Sequence, residues 1–487
     1  MFSTRGLLGI TRSDSKLRKA FTKVVKNSPI LQTETIGEGD AAVFRKISDE
    51  ETDIKLPSLV IEPREASKEE MVGKAKSRTE AIVSNMATEG QLAHRTSVRL
   101  HAVRGPRHIA FVLVTPHHFV DGTGIASIIT QMYLRSLLPK KLWWLLPTQL
   151  VMPPSFMEMA YKSGECLCQS MICNFQSHTW LMTNICLIPD FVAATRTGAK
   201  NQQSSVNLAV GRDEINVVTL TDSEPSLKNL VREEFRFVDY DLLAPDASTK
   251  LRGLHESMSY ASLTAVKKCR RALRQNGISM TSAFGALSIK VLAALVSKYC
   301  QNSDPPKEGA YRDWKYLKAQ NGVDARGLGK WGDKRDRASK LFPTVANYAF
   351  SAKTFVPFDD ALNGSLEKVA LMIKETLHQI STDVKFRASH IESNKSSNPH
   401  TIYCGVSSVL APRIWQVLRL GTSTETTIEF GPCPHVWFYV LTDGAHTSVI
   451  ADIGLPLPTL TEDATRDVIR NLSKGTALES FFTTSSI

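Results

Sequence analysis

The sequence lacks the cysteine spacings that carry chemistry or cross-links. Its eight cysteines, at positions 166, 168, 173, 186, 269, 300, 404 and 433, include no C-x-x-C pair and no regular framework. That argues against a disulfide-stapled secreted domain and a thiolate zinc knuckle, and predicts reduced, mostly buried thiols in a cytoplasmic protein. Also missing are G-x-S-x-G, H-E-x-x-H and the phosphate-binding P-loop, the commonest signatures of serine hydrolases, zinc proteases and nucleotide hydrolases. Gly327-Leu-Gly329-Lys-Trp-Gly332 formally matches a dinucleotide fingerprint, but its polar, charged flanks do not predict the strand and helix that such a site requires. No uninterrupted apolar run reaches the length of a spanning helix. The apolar stretches at 179–194 and 142–146 read as core or lid and leave room for peripheral membrane contact.

What is present is a basic chain of 487 residues, with 59 Lys and Arg against 48 Asp and Glu, a formal charge of +11. The excess is spread along the chain without an Arg-rich tract or interleaved aromatic and basic residues. A phosphorylated small molecule is therefore the expected partner, and nucleic acid is not. With 42% hydrophobic and 22% charged residues there is material for two ordinary cores.

The first 26 residues are rich in Ser, Arg and Lys with one acid, which is leader-like chemistry. Leu17, Ala20, Phe21, Val24 and Val25 nevertheless fall on one helical stripe, so the segment is read as fold. A helix over Met71–Ser84 follows, then strands at 97–103 and 108–115 joined by Arg104-Gly105-Pro106-Arg107, which predicts an antiparallel hairpin. After Gly124 the period changes to that of a helix, through Ile125, Ile128, Ile129 and Met132. Residues 196–230 read as a crossover, dividing the chain into domains at 1–225 and 226–487. The second half is predicted as a strand at 234–242, helices at 259–275, 280–300, 365–380 and 461–474, and strands at 401–410, 436–442 and 447–453. Residues 303–340, with ten Lys and Arg against five acids from Lys307 to Lys340, read as a solvated insertion.

The end of the 108–115 strand carries Thr-Pro-His-His-Phe-Val-Asp-Gly-Thr-Gly, residues 115–124. Adjacent strand side chains face opposite ways, so His117 and His118 would not share an ion, and no third ligand is identifiable; no metal is expected. A satisfied core or surface histidine is the plain alternative. Against it stands the spacing His117-x-x-x-Asp121-Gly122 where a buried strand stops and a helix begins.

This H-x-x-x-D-G pattern resembles that of the coenzyme-A-dependent acyltransferases that share a fold with chloramphenicol acetyltransferase, the plant BAHD enzymes and peptide-synthetase condensation domains. Leu17–Gln32 is similar to the family's first helix and its Pro-Ile-Leu, and 263–300, with Gly-Ile-Ser-Met-Thr at 277–281, to the helix pair opening its second domain. Within the superfamily the likeness is to fungal O-acetyltransferases of secondary metabolism, the trichothecene and alcohol acetyltransferase types. The resemblance implies an α/β fold of two similar domains, with mixed sheets flanked by helices and an active-site channel between them. It implies His117 as general base, Asp121 paired with an arginine that fixes the turn, and Gly122 allowing the tight backbone. An imidazole titrating near about 6.5 suits proton removal from an alcohol attacking a thioester.

The implied co-substrate is acyl-CoA, acetyl-CoA in the first instance, with no bound cofactor, and the acceptor a hydroxyl on a terpenoid, polyketide or glycolipid; the family default is a monomer. Ser407 and Ser408 are oxyanion candidates, and Lys267, Lys268 and Arg271 candidates for the cofactor's phosphates. Two departures stand out. The plant D-F-G-W-G is absent, with only Glu429-Phe-Gly431-Pro-Cys as an echo, and the lead-in before the first helix is shorter than the strand-bearing one of relatives, so that either the strand is lacking or the start is truncated. Loss of that strand would favour a non-catalytic scaffold, and transfer from a carrier-protein thioester is the other alternative.

Overall fold

The computed structural model describes residues 2–5, 13–36, 43–47, 58–89, 99–106, 108–115, 119–146, 252–302, 316–328, 343–383, 386–387, 390, 403–410, 420–422, 434–442, 446–455, 457 and 460–482. They divide into two compact units. The first is drawn from Met1–Thr219, Asp324–Ala349 and Leu410–Thr426, the second from Leu220–Val323, Phe350–Val409 and Thr427–Ile487. The first unit thus takes two segments from beyond residue 226.

In the first unit, Ser13 caps helix α1 (Asp14–Lys26), whose buried face is the stripe from Leu17 to Val25. A hairpin of β2 (Thr33–Ile36) and β3 (Val43–Lys46) follows. Strand β4 (Ser58–Arg64) then leads into α2 (Lys68–Glu89), opened by a capping box in which the Ser67 hydroxyl accepts from Glu70 N–H and the Glu70 carboxylate from Ser67 N–H. Strands β5 (Arg99–Arg104) and β6 (His108–Val114) form the expected antiparallel hairpin, and α3 (Gly122–Leu137) follows.

The lead-in, expected either to lack its strand or to be truncated, contains β1 (Phe2–Arg5), which pairs antiparallel with β6 on one side and with β11 (Leu420–Thr422) on the other. Four residues suffice because they fill a place between two existing edges. The sheet order is β11-β1-β6-β5-β4, mixed because β4 and β5 run parallel. Alternation along the strands divides its two faces. Leu100, Ala102 and Phe111 pack with α1 and α3, and Val103, Ala110 and Val112 pack against Met71 and Ala75 of α2.

The second unit opens with β7 (Arg252–Ser262), so the helix expected from 259 begins later, as α4 (Leu263–Gln275). Ser262 ends the strand and caps the helix, its hydroxyl accepting from Ala265 N–H at 3.3 Å. Then come α5 (Met280–Asn302), β8 (Tyr316–Asp324), β9 (Ala349–Pro357), α6 (Phe358–Asn363), α7 (Leu366–Thr382), β10 (Tyr403–Leu410), β12 (His435–Thr442), β13 (His446–Leu455) and α8 (Glu462–Ser473). The sheet order is β7-β13-β12-β10-β8-β9; β7, β13 and β12 pair antiparallel, while β8 and β10 run parallel.

Helix α5 is long and apolar enough to cross a membrane, yet 83% of that window is buried within the protein. Its Phe284 ring lies 6.1 Å from Phe438 of β12 and 5.6 Å from Phe481. Lys290 interrupts the apolar run. Its ammonium donates to the Ala361, Leu362 and Gly364 carbonyls, the acceptors that the end of α6 leaves open.

The reading of 303–340 as a solvated insertion is corrected over 316–328. There β8 is an interior strand with Leu317–Asn321 buried, and the short 3-10 turn Ala325–Gly327 follows. Lys318 and Gln320 made it look solvated, but the sheet face on which they sit is covered. The expected crossover at 196–230, the strand at 234–242 and the apolar stretch at 179–194 lie outside the described residues. The stretch at 142–146 is held in place through Trp143, whose indole N–H donates to the Arg135 and Leu138 carbonyls.

Candidate functional site

The H-x-x-x-D-G turn lies between β6 and α3, in the first unit. His117 and His118 lie outside the described residues; Phe119, Val120 and Asp121 are buried. Asp121 is the N-cap of α3, its backbone extended and its Oδ1 accepting from Gly124 N–H at 2.8 Å. Its Oδ2 accepts from Arg326 Nη1 at 2.7 Å and from Tyr348 N–H at 2.8 Å. One carboxylate thus starts a helix and binds it to a segment more than two hundred residues away.

Arg326 is the arginine of that pair, and sequence reasoning did not find it. Its guanidinium also donates to Asp324 Oδ1 at 3.0 Å and to the Thr344 and Ala346 carbonyls at 2.9 and 2.7 Å, and lies 4.8 Å from the centre of the Tyr348 ring. Burial alone would depress its pKa, but the carboxylates of Asp121 and Asp324 outweigh burial and raise it above the ordinary value. The guanidinium is therefore a permanent charge.

Gly122, expected to provide a tight backbone, is the first residue of α3. Gly124 is a glycine whose bareness makes room. A Cβ there would stand 2.6 Å from Val120 Cγ1 and 3.1 Å from the Ala346 carbonyl oxygen.

The remaining candidates lie in the second unit. Ser407 and Ser408 are neighbours on β10, so their side chains take opposite faces of the sheet. Ser408 shares its face with Cys404 and Val406, and its hydroxyl is 3.3 Å from that of Thr281 in the first turn of α5. Ser407 Oγ lies instead beside Gly322, 3.7 Å from where a Cβ would stand. The two hydroxyls cannot serve one oxyanion together. Lys267, Lys268 and Arg271 are exposed on α4. Among the described residues, no group of three or more His, Cys, Asp or Glu side chains could hold a metal ion.

A separate polar pair crosses the second sheet. His435 Nε2 donates to Asp452 Oδ1 at 2.9 Å, both side chains buried. Gly454 is required beside them, since a Cβ there would stand 2.8 Å from His435 Cε1.

No protein-family model matches the sequence, and no curated protein does. Solved structures do match over nearly the whole length. The chain is similar to the first condensation domain of the calcium-dependent antibiotic synthetase, at 12% identity and a TM-score of 0.51, covering 99% of this chain and 91% of that one. It is also similar to the SgcC5 protein from Streptomyces globisporus, at 12% identity and a TM-score of 0.49, over 98% and 91%. A third likeness is to the EpoB cyclization-docking bidomain from Sorangium cellulosum, at 14% identity and a TM-score of 0.48, over 98% and 79%. The first of these shows the fold: an α/β architecture with mixed sheets and flanking helices, of the type that condensation domains share with chloramphenicol acetyltransferase.

Proposed function

We propose that the protein is an acyl-CoA-dependent O-acyltransferase. It moves an acyl group, acetyl in the first instance, to a hydroxyl of a secondary metabolite such as a terpenoid, polyketide or glycolipid. The observation that carries this reading is the Asp121 carboxylate, which joins the N-terminus of α3 to Arg326 and the Tyr348 amide. A structural clamp of that kind fixes the start of α3, and His117 precedes its N-cap by four residues in the sequence. His117 is the general base of the reading: it takes the proton from the acceptor hydroxyl as the oxygen attacks the thioester carbonyl, and returns it to the departing thiolate. Asp121 and Arg326 act by positioning. Of the oxyanion candidates, Ser407 is preferred, since Ser408 is engaged beside Thr281.

The finer likeness to fungal O-acetyltransferases supports free coenzyme A as the donor and a cytoplasmic monomer. The fold of the antibiotic-synthetase condensation domain supports a second reading, in which the same histidine takes the proton from an acceptor that receives the acyl group from a carrier-protein thioester, the carrier's thiol leaving. The scaffold alternative loses the support that a missing first strand would have given, because β1 is in place.

The test offers the full-length protein two donors, acetyl-CoA and an acetylated carrier protein, with a panel of hydroxylated terpenoids and glycolipids, and follows thiol release. Release from acetyl-CoA that requires an acceptor is the expected result. Release from the carrier alone moves the assignment to the second reading, and release from neither, by a folded protein, to the scaffold.

A further inference from the structure

Two lysines of the second unit are almost wholly buried on strands that lie side by side. Lys318 of β8 is 6% exposed and Lys353 of β9 7%. Leu317, Ala319 and Val356 belong to the core that contains α5. Alternation along each strand therefore turns Lys318 and Lys353 to the same face of the sheet, the one away from α5. Long side chains on one face of adjacent strands are within mutual reach. The fully buried His390 packs beside them, its Nε2 lying 2.8 Å from the Lys353 carbonyl oxygen and its Nδ1 3.1 Å from that of Phe386.

Lys290 shows how differently a buried lysine can be used. Its ammonium donates to three carbonyls at the end of α6, which makes it a structural cation. Lys318 and Lys353 instead share one covered face, where two ammonium groups repel each other and one is favoured to give up its proton. Burial, with the charge of Lys353 adding to it, brings the Lys318 amine down to about 7, and burial brings Lys353 down to about 8. Between those values the pair is a neutral amine beside an ammonium. A desolvated neutral amine is a nucleophile.

We infer that Lys318 is a carbamylation site for carbon dioxide, with the Lys353 ammonium as the counter-ion of the carbamate. The lone pair of Lys318 Nζ forms the N–C bond, one C=O electron pair moves onto oxygen, and the proton leaving nitrogen passes to solvent. A pair of like charges becomes an ion pair, which is the arrangement that burial tolerates. Carbon dioxide is small and uncharged, so it can reach an amine that is closed to larger electrophiles. The inference does not involve His117 and stands apart from the acyltransferase reading, because its readout is binding rather than turnover.

The experiment equilibrates the full-length protein with isotopically labelled bicarbonate at about pH 8, records carbon NMR, and measures unfolding midpoints in degassed and in bicarbonate buffer of equal ionic strength. Surface lysines and the N-terminal amine give a background common to all variants. Wild type should show one further carbamate resonance that saturates with dissolved carbon dioxide, and its midpoint should rise in step. Lys318→Met should lose both the resonance and the rise. Its fold should survive, since the amine it removes is costly to bury. Lys353→Met should bind about tenfold or more weakly, for want of the counter-charge. Lys298→Gln, exposed on α5, should match wild type. A further resonance that persists in Lys318→Met, an affinity unchanged in Lys353→Met, or a wild-type spectrum without that resonance overturns the inference.

Discussion

Asp121 makes three interactions with one carboxylate, and their separate contributions can be measured. Replacing Arg326 by Met leaves that buried carboxylate without its counter-charge, with only the Gly124 and Tyr348 amides as donors. A loss of about 3–5 kcal/mol is expected, the usual cost of breaking a buried pair from one side. In a double-mutant cycle by urea unfolding, Asp121→Asn combined with Arg326→Met should lose distinctly less than the sum of the single losses. Simple additivity would contradict the clamp. A second residue-level effect depends on pH. Burial pushes the Lys318 amine down to about 7, the charge of Lys353 adding to the effect, and burial brings Lys353 down to about 8. Between those values and the ordinary lysine range near about 10.4, the unfolded chain holds more protons than the folded one, so stability should rise with pH across that window. Below about pH 7 the whole penalty is present. Lys318→Met should therefore flatten the rise and stabilise the protein at about pH 7, as unfolding midpoints measured at about pH 6, 8 and 9.5 would reveal. A variant whose pH profile matched wild type would count against this account.

At the scale of elements, α5 combines a membrane-like composition with burial inside the second unit, and Lys290 is the residue that stands out in it. Its ammonium reaches the carbonyls at the end of α6, while burial lowers its pKa despite the nearby Asp360. Lys290→Met removes a charge that is costly to bury but strands those acceptors. The orphaned carbonyls outweigh the relief, and a net loss of about 1–2 kcal/mol in urea unfolding is expected. No loss would mean that α6 ends without its help. The same scale shows what could be read in advance. The α1 stripe, the hairpin after Arg104 and the change to a helical period, read after Gly124 and observed from Gly122, are local patterns, and each appears at or close to where the residues place it. β8 was not legible, because Lys318 and Gln320 alternate with Leu317 and Ala319 on a strand covered on both faces, and polar alternation ordinarily signals solvent. Arg326 was lost with it: nothing local distinguishes that arginine, and its partner lies 205 residues away. Ser407 and Ser408 were legible as a pair but not as a divided one until β10 fixed their faces.

For the molecule as a whole, the proposed chemistry runs through His117. His117 was singled out by its spacing to Asp121 and Gly122 and lies outside the described residues, whereas the clamp that Asp121 makes needed the tertiary structure. If His117 is the base, its removal should abolish proton transfer while leaving the clamp, and hence the fold, in place. The most direct test is single-turnover acyl transfer from acetyl-CoA to a responsive acceptor, comparing wild type with His117→Ala after matched circular dichroism and unfolding midpoints. The account predicts a rate lowered by about 10²-fold or more with stability unchanged. A folded His117→Ala that transfers the acyl group at the wild-type rate would contradict it.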